Sequence, residues 1–360
     1  MVSAARRSRR ARACEVIAVL LAALVLATAC GSPPRQHAGA PAGPAAPGRS
    51  APSAQERPAS AAATPARTAA VGTVGRYRVG RRQMIFAEPA RTGVTGQYLG
   101  ERFLTAVIDY PASGESSGSQ LAPGPFPVLM FAPGFLQCTG TYERLLRSWA
   151  SAGYVVASVN FPRTGCRAGP AAYEPDLVNQ PADVSYVLGR LLALSAAPDD
   201  FFSGRLNPRQ VAAAGQSDGG DTVAALAAGT CCQDHRLKAA AVLSGAEWPP
   251  MPGTYFTGGA PPMLFVQGSA DTINPPRASM QMYRADRAGP RYYLDLPGAS
   301  HMGPYSGDNP VERLVARVTL AFFARYVLSD AAALATMTRL GNSAGIAALS
   351  SGGQLPPGPG

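Results

Sequence analysis

From residue 82 to residue 112 the chain alternates apolar and polar positions in two stretches, RQMIFAE and RFLTAVIDYPA, and each reads as a strand with one face in a core. The turn-rich SGESSGSQLAPGPF, residues 113–126, leads into PVLMFAPGF, an uncharged run of the kind that a strand buried on both faces requires. Beyond it the period switches back and forth. TYERLLRSWASA, PADVSYVLGRLLALS and DGGDTVAALAAG read as helices, and GYVVASVNFP, RQVAAAG, LKAAAVLSG, PPMLFVQGS and RYYLDLPG as strands. VERLVARVTLAFFARYVLS closes the series as an amphipathic helix. Two antiparallel-type strands followed by repeated strand–helix units predict an α/β fold, a mostly parallel sheet with helices on both faces.

The first 70 residues lack this pattern. RRSRRAR, the apolar run from Val16 to Thr28 and the small residues of ATAC form a leader over residues 1–29. Cys30 directly after it resembles a bacterial lipobox cysteine, with Ala27 where such motifs usually carry Leu. The two readings are a lipidated Cys30, which would hold the protein on a membrane, and plain secretory cleavage. Residues 30–70 are dominated by Ala, Pro, Gly, Ser and Arg and read as a disordered tether. The folded domain is expected over 71–330, with a C-terminal tail over 331–360.

Charge and cysteines narrow the picture. The formal net charge of +10 is inflated by the leader's arginines, and Lys238 is the only lysine. No basic run is interleaved with aromatics in the body of the chain, so nucleic acid is not an expected partner. With Cys30 modified, Cys138, Cys166, Cys231 and Cys232 remain, and an even number in an exported protein suggests bridges. Cys138 and Cys166 follow adjacent strands and form the favoured pair, which leaves Cys231 and Cys232 as a vicinal disulfide or two thiols; crossed pairings stay open. Zinc spacing, phosphate loops and dinucleotide fingerprints are absent from the sequence, so neither metal nor cofactor is expected.

The pattern G-x-S-x-G occurs around Ser116, Ser217 and Ser343. A nucleophile elbow needs a strand entering and a helix leaving. Ser116 exits into a Pro-rich stretch, and no histidine follows Ser343, whereas Ser217 has VAAA before it and TVAALAA after it. Of the three histidines, His37 lies in the tether and His235 in a solvent-facing loop. His301 follows a strand and precedes the last helix, where a base would face Ser217. Asp271, in the turn after PMLFVQG, is the expected acid, and Asp295, within a strand, the alternative.

MFAPGF, WASAGYVVASVNFP, GQSDGG, PMLFVQGSADTINPP and GASHMG, in this order, resemble the α/β-hydrolase superfamily. They are most similar to its branch of platelet-activating-factor acetylhydrolases, chlorophyllase-like enzymes and cutinase-like polyester hydrolases, over residues 76–328. The resemblance implies a serine carboxylic-ester hydrolase with Ser217, His301 and Asp271 as triad and the backbone N–H groups of Phe135 and Asp218 as oxyanion hole. It also implies Trp248 as a substrate wall, although a packing role for that residue is nearly as good a reading. Cutinase-like members usually carry Met after the serine, and Asp218 at that place argues against a greasy polymer. Only about 15 residues follow AAAVLSG before the next strand, too few for a large cap domain. The expected partner is thus a small-molecule or lipid ester. Other readings are a cell-envelope acyltransferase or peptidase with the same triad, and a tethered binding protein without catalysis.

Overall fold

The computed structural model describes residues 74–114 and 120–353. The leader, Cys30, the tether and Ser116 lie outside the described residues. The chain opens with β1 (Arg78–Glu88), a small hairpin of β2 (Arg91–Thr92) and β3 (Tyr98–Leu99), and β4 (Arg102–Ala112). Then come β5 (Phe126–Ala132), α1 (Glu143–Ser151), β6 (Val155–Asn160), α2 (Gln180–Ala196), β7 (Leu206–Gln216) and α3 (Asp218–Ala228). β8 (Leu237–Leu243), β9 (Met263–Gly268), α4 (Pro276–Ala285), β10 (Arg291–Leu296), α5 (Pro310–Val327), α6 (Ala333–Gly341) and β11 (Ala348–Ser351) complete it.

Nine strands form one sheet in the order β1-β4-β6-β5-β7-β8-β9-β10-β11. The six strands from β6 to β10 run parallel, while β1, β4 and β11 pair antiparallel at the two ends. Alternation within β5 shows why the central run is apolar throughout. Val128 and Met130 join the core shared with Val184, Leu188, Val223 and Met282 of α2, α3 and α4. Leu129 and Phe131 join the opposite core, with Leu145, Trp149, Phe322 and Met337 of α1, α5 and α6. Successive side chains point to opposite faces of a strand, so burial on both faces leaves no polar position. Each such side chain contributes about 1.5–3 kcal/mol.

This is the α/β-hydrolase architecture expected from the sequence, with two additions. α4 begins at Pro276, a residue suited to a helix's first position, and inserts Met282 and Tyr283 into the core. Residues 331–353, read from the sequence as part of a tail, instead form α6 and β11, and β11 pairs Leu349 with Leu294 as the ninth strand. Ala333, Met337 and Leu340 give α6 a buried stripe of only three side chains, too few to stand out as an apolar run. The connection from β8 to β9 contains no helix, so no cap covers the sheet there. Because the parallel strands share one direction, the loops after β5, β7, β8, β9 and β10 gather at one edge.

Candidate active site

β7 ends at Gln216, α3 begins at Asp218, and Ser217 between them has φ 56° and ψ −126°. A non-glycine residue at positive φ is strained, and the neighbouring glycines allow it. A Cβ on Gly219 would lie 1.8 Å from the Ala132 carbonyl oxygen, and one on Gly215 2.0 Å from the Gly219 oxygen. No side chain fits either place. The Ser217 backbone N–H donates to Leu243 O at 3.0 Å, which anchors the elbow to β8.

Asp271 and His301 are brought together from different loops. His301 Nδ1 lies 2.7 Å from Asp271 Oδ2. Asp271 is only 4% exposed, and its carboxylate is saturated. Oδ1 accepts from the backbone N–H groups of Ile273 and Asn274 at 2.9 and 3.0 Å, and Oδ2 also accepts from Gln267 Nε2 at 3.0 Å. Four donors hold that carboxylate in one orientation. Asp295, the alternative acid, sits in β10 opposite Gln267 and Ala348, within the sheet.

Ser217 Oγ makes no hydrogen bond to His301 among the described residues. His301 Nε2 instead faces Gln216 Nε2 at 3.2 Å, and the same amide donates to His301 O at 3.2 Å. The elbow and the histidine loop therefore touch through the residue before the serine.

Phe135 follows Gly134 in the loop after β5. Leu136, next in line, has φ 56° and donates its N–H to Thr164 O at 2.7 Å, while Cys166 N–H returns to Gln137 O at 3.3 Å. A disulfide between Cys138 and Cys166, with Cα atoms 5.3 Å apart, closes this ladder. Loops following two adjacent parallel strands are thereby fastened together beside Phe135. Closing the 28-residue separation is worth about 3–4 kcal/mol on the chain-entropy account. Cys231 and Cys232 also form a disulfide.

Asp218, the second expected oxyanion donor, is 7% exposed, and its Oδ2 has no hydrogen-bond partner. Burial, reinforced by the negative charge of Glu174 and opposed by its own backbone N–H, pushes its carboxyl up to about 7. Asp221, one turn later, accepts from the Ala246 N–H and is raised well above its ordinary value, again chiefly by burial.

Trp248 lies in the β8–β9 connection, half-buried against the cluster of Leu177, Val178, Ala225 and Met251, with Nε1 unpaired. It lines a cavity of about 620 Å³ with Glu247, Met251 and Tyr255, to which Ser217, Asp271 and His301 do not contribute. His235 is exposed and lines a separate depression beside the Cys231–Cys232 disulfide. Among the described residues no group of three His, Cys, Asp or Glu side chains could hold a metal ion.

Gln216, Gln267 and Tyr142 were not singled out from the sequence. The signal was there for two of them: each glutamine is a polar residue ending an apolar strand, directly before a turn that carries a candidate residue. Tyr142 gave none. A family model described as PETase, PET hydrolase-like, matches residues 105–337, from within β4 to within α6. No curated protein matches the chain.

Proposed function

We propose, from the premise that this chain belongs to the PET hydrolase-like family of α/β-hydrolases and is a carboxylic-ester hydrolase, that Ser217, His301 and Asp271 form its catalytic triad. The observation that carries the assignment is the 2.7 Å contact between His301 Nδ1 and a fully bonded Asp271, beside a serine at a strained elbow. Ser217 Oγ attacks the ester carbonyl while His301 Nε2 takes its proton. The N–H groups of Phe135 and Asp218 meet the alkoxide as it forms. Collapse expels the alcohol, which leaves with the proton from His301, and water then repeats the sequence on the acyl-enzyme. For Ser217 to hand over its proton, the His301 ring turns from Gln216 toward Oγ.

The substrate is a small ester of short to medium acyl length taken from solution. The family's description names a polyester, yet the carboxyl of Asp218 beside the nucleophile, with one oxygen unpartnered, fits a smaller and more polar ester better than an apolar polymer. An uncapped β8–β9 connection fits an open cleft without activation at a lipid interface. The enzyme is exported and held at the cell envelope by a lipid on Cys30. Replacement of Cys30 by Ala should turn a membrane-bound, detergent-soluble protein into a released one; unmodified wild type free in the medium would refute the anchor. Steady-state hydrolysis of a soluble ester tests the triad. Ser217→Ala and His301→Ala should each lower kcat by several orders of magnitude, with His235→Ala nearly silent. A His301 variant at the wild-type rate would refute it.

A further inference from the structure

We propose that Gln216 is a positioning residue that sets the protonation pattern of His301 and couples the histidine loop to the Gly134–Phe135 loop. The inference rests on the triad reading above and extends it to a residue outside the triad.

The orientation of the Gln216 side chain is determined by what its neighbours can do. It is fully buried, and every polar atom is used. Gly134 N–H donates to Tyr142 Oη at 3.1 Å, so the tyrosine's own proton is directed elsewhere, to Gln216 Oε1 at 2.7 Å. The amide oxygen is thus on the tyrosine side and the amide nitrogen on the histidine side. There it meets His301 O at 3.2 Å and His301 Nε2 at 3.2 Å. An amide nitrogen only donates, so both partners accept, and Nε2 presents its lone pair. The ring proton is then on Nδ1, where Asp271 Oδ2 receives it at 2.7 Å.

Asp271 and Gln216 therefore select the same tautomer from opposite sides of the ring, the one in which Nε2 can take a proton from Ser217. The same side chain spans from the loop expected to supply an oxyanion donor, through Tyr142, to the base. Its neutrality matters. A carboxylate in its place would accept at Nε2 rather than donate, favouring the protonated ring and the opposite tautomer.

Two variants separate positioning from bulk. Gln216→Glu keeps an acceptor for Tyr142 and nearly the same volume, and Gln216→Met keeps the volume without the amide. Because Asp218 titrates at about 7 beside the site, the pH dependence of kcat/KM is read in both the native and the Asp218→Asn backgrounds. In both, Gln216→Glu should move the acid limb upward by about one pH unit. Gln216→Met should lower kcat by about 10- to 100-fold with KM nearly unchanged. Imidazole 15N spectra should show the His301 proton on Nδ1 in the native protein and a mixture of tautomers in Gln216→Met. An unmoved acid limb in Gln216→Glu, or Gln216→Met with native kcat and a pure Nδ1–H tautomer, would overturn the proposal while leaving the triad standing. Failure of a fluorophosphonate to label wild-type Ser217 would remove both.

Discussion

Two buried carboxyl groups stand at the same edge of the sheet, and their surroundings are opposites. Asp271 receives four hydrogen bonds, from two backbone N–H groups, Gln267 and His301. Asp218 has one oxygen without a partner and faces the charge of Glu174. Burial alone disfavours a charge in both places, and donors decide whether the cost is offset. On the proposed mechanism, the donors around Asp271 hold its carboxylate behind a ring that becomes a cation during turnover. Burial favours the neutral form of Asp218, whose N–H group is, on the proposed mechanism, one of the two that meet the alkoxide. The difference teaches that the two carboxyl groups are provided for unequally: one is surrounded by donors, and the other, beside Ser217, is left with an unpartnered oxygen.

The contrast breaks most visibly in turnover. Asp271→Ala should lower kcat for a soluble ester by about 10³- to 10⁴-fold, whereas Asp218→Asn should leave kcat at pH 6 within a few-fold of wild type; comparable losses in both would erase the distinction. Stability gives the next largest effect. The Asp218 carboxyl, raised to about 7, keeps its proton in the folded chain at pH values where the unfolded chain has released it. Its contribution to stability is therefore present below about pH 4 and is lost as the pH rises to about 7. Asp218→Asn should gain on the order of 2 kcal/mol relative to wild type in chemical denaturation at pH 8 and converge with it near pH 4. A gap that stays constant with pH would show that Asp218 does not titrate in this range.

Rate should follow the same titration. As Asp218 ionises, its charge opposes the alkoxide, so wild-type kcat/KM should fall several-fold above pH 7 while Asp218→Asn stays level. A parallel decline in both proteins would assign it to another group. The smallest effect concerns Trp248, which the family resemblance implies as a substrate wall. Trp248→Ala should raise KM several-fold with kcat held within about two-fold, the mark of lost uniform binding. An unchanged KM would make Trp248 a packing residue of the Leu177–Met251 cluster alone.

Most of the sheet was legible because its strands are either alternating or wholly apolar, and both patterns are forced by which faces are buried. β4 carries the bounds read from RFLTAVIDYPA, and α3 begins at the residue after Ser217. α4 and α6 were not legible. α4 buries only Ser279, Met282 and Tyr283, and α6 only Ala333, Met337, Leu340 and Gly341, so neither carries the broad apolar stripe by which a helix is read from sequence. At the site, Ser217, Asp271 and His301 could be ordered along the chain from turns and strand ends. The contact through Gln216 could not, because the partner that orients it, Tyr142, is 74 residues away, and proximity across such a gap has no local signature.

The central claim, that Ser217 is a nucleophile activated by His301, is tested most directly by intact-mass analysis after treatment with a fluorophosphonate, followed by peptide mapping. The account predicts a single adduct on the peptide that holds Gln216, Ser217 and Asp218, none on Ser217→Ala, and labelling slowed by orders of magnitude in His301→Ala. An unlabelled wild type, an adduct on another serine, or undiminished labelling of His301→Ala would contradict it.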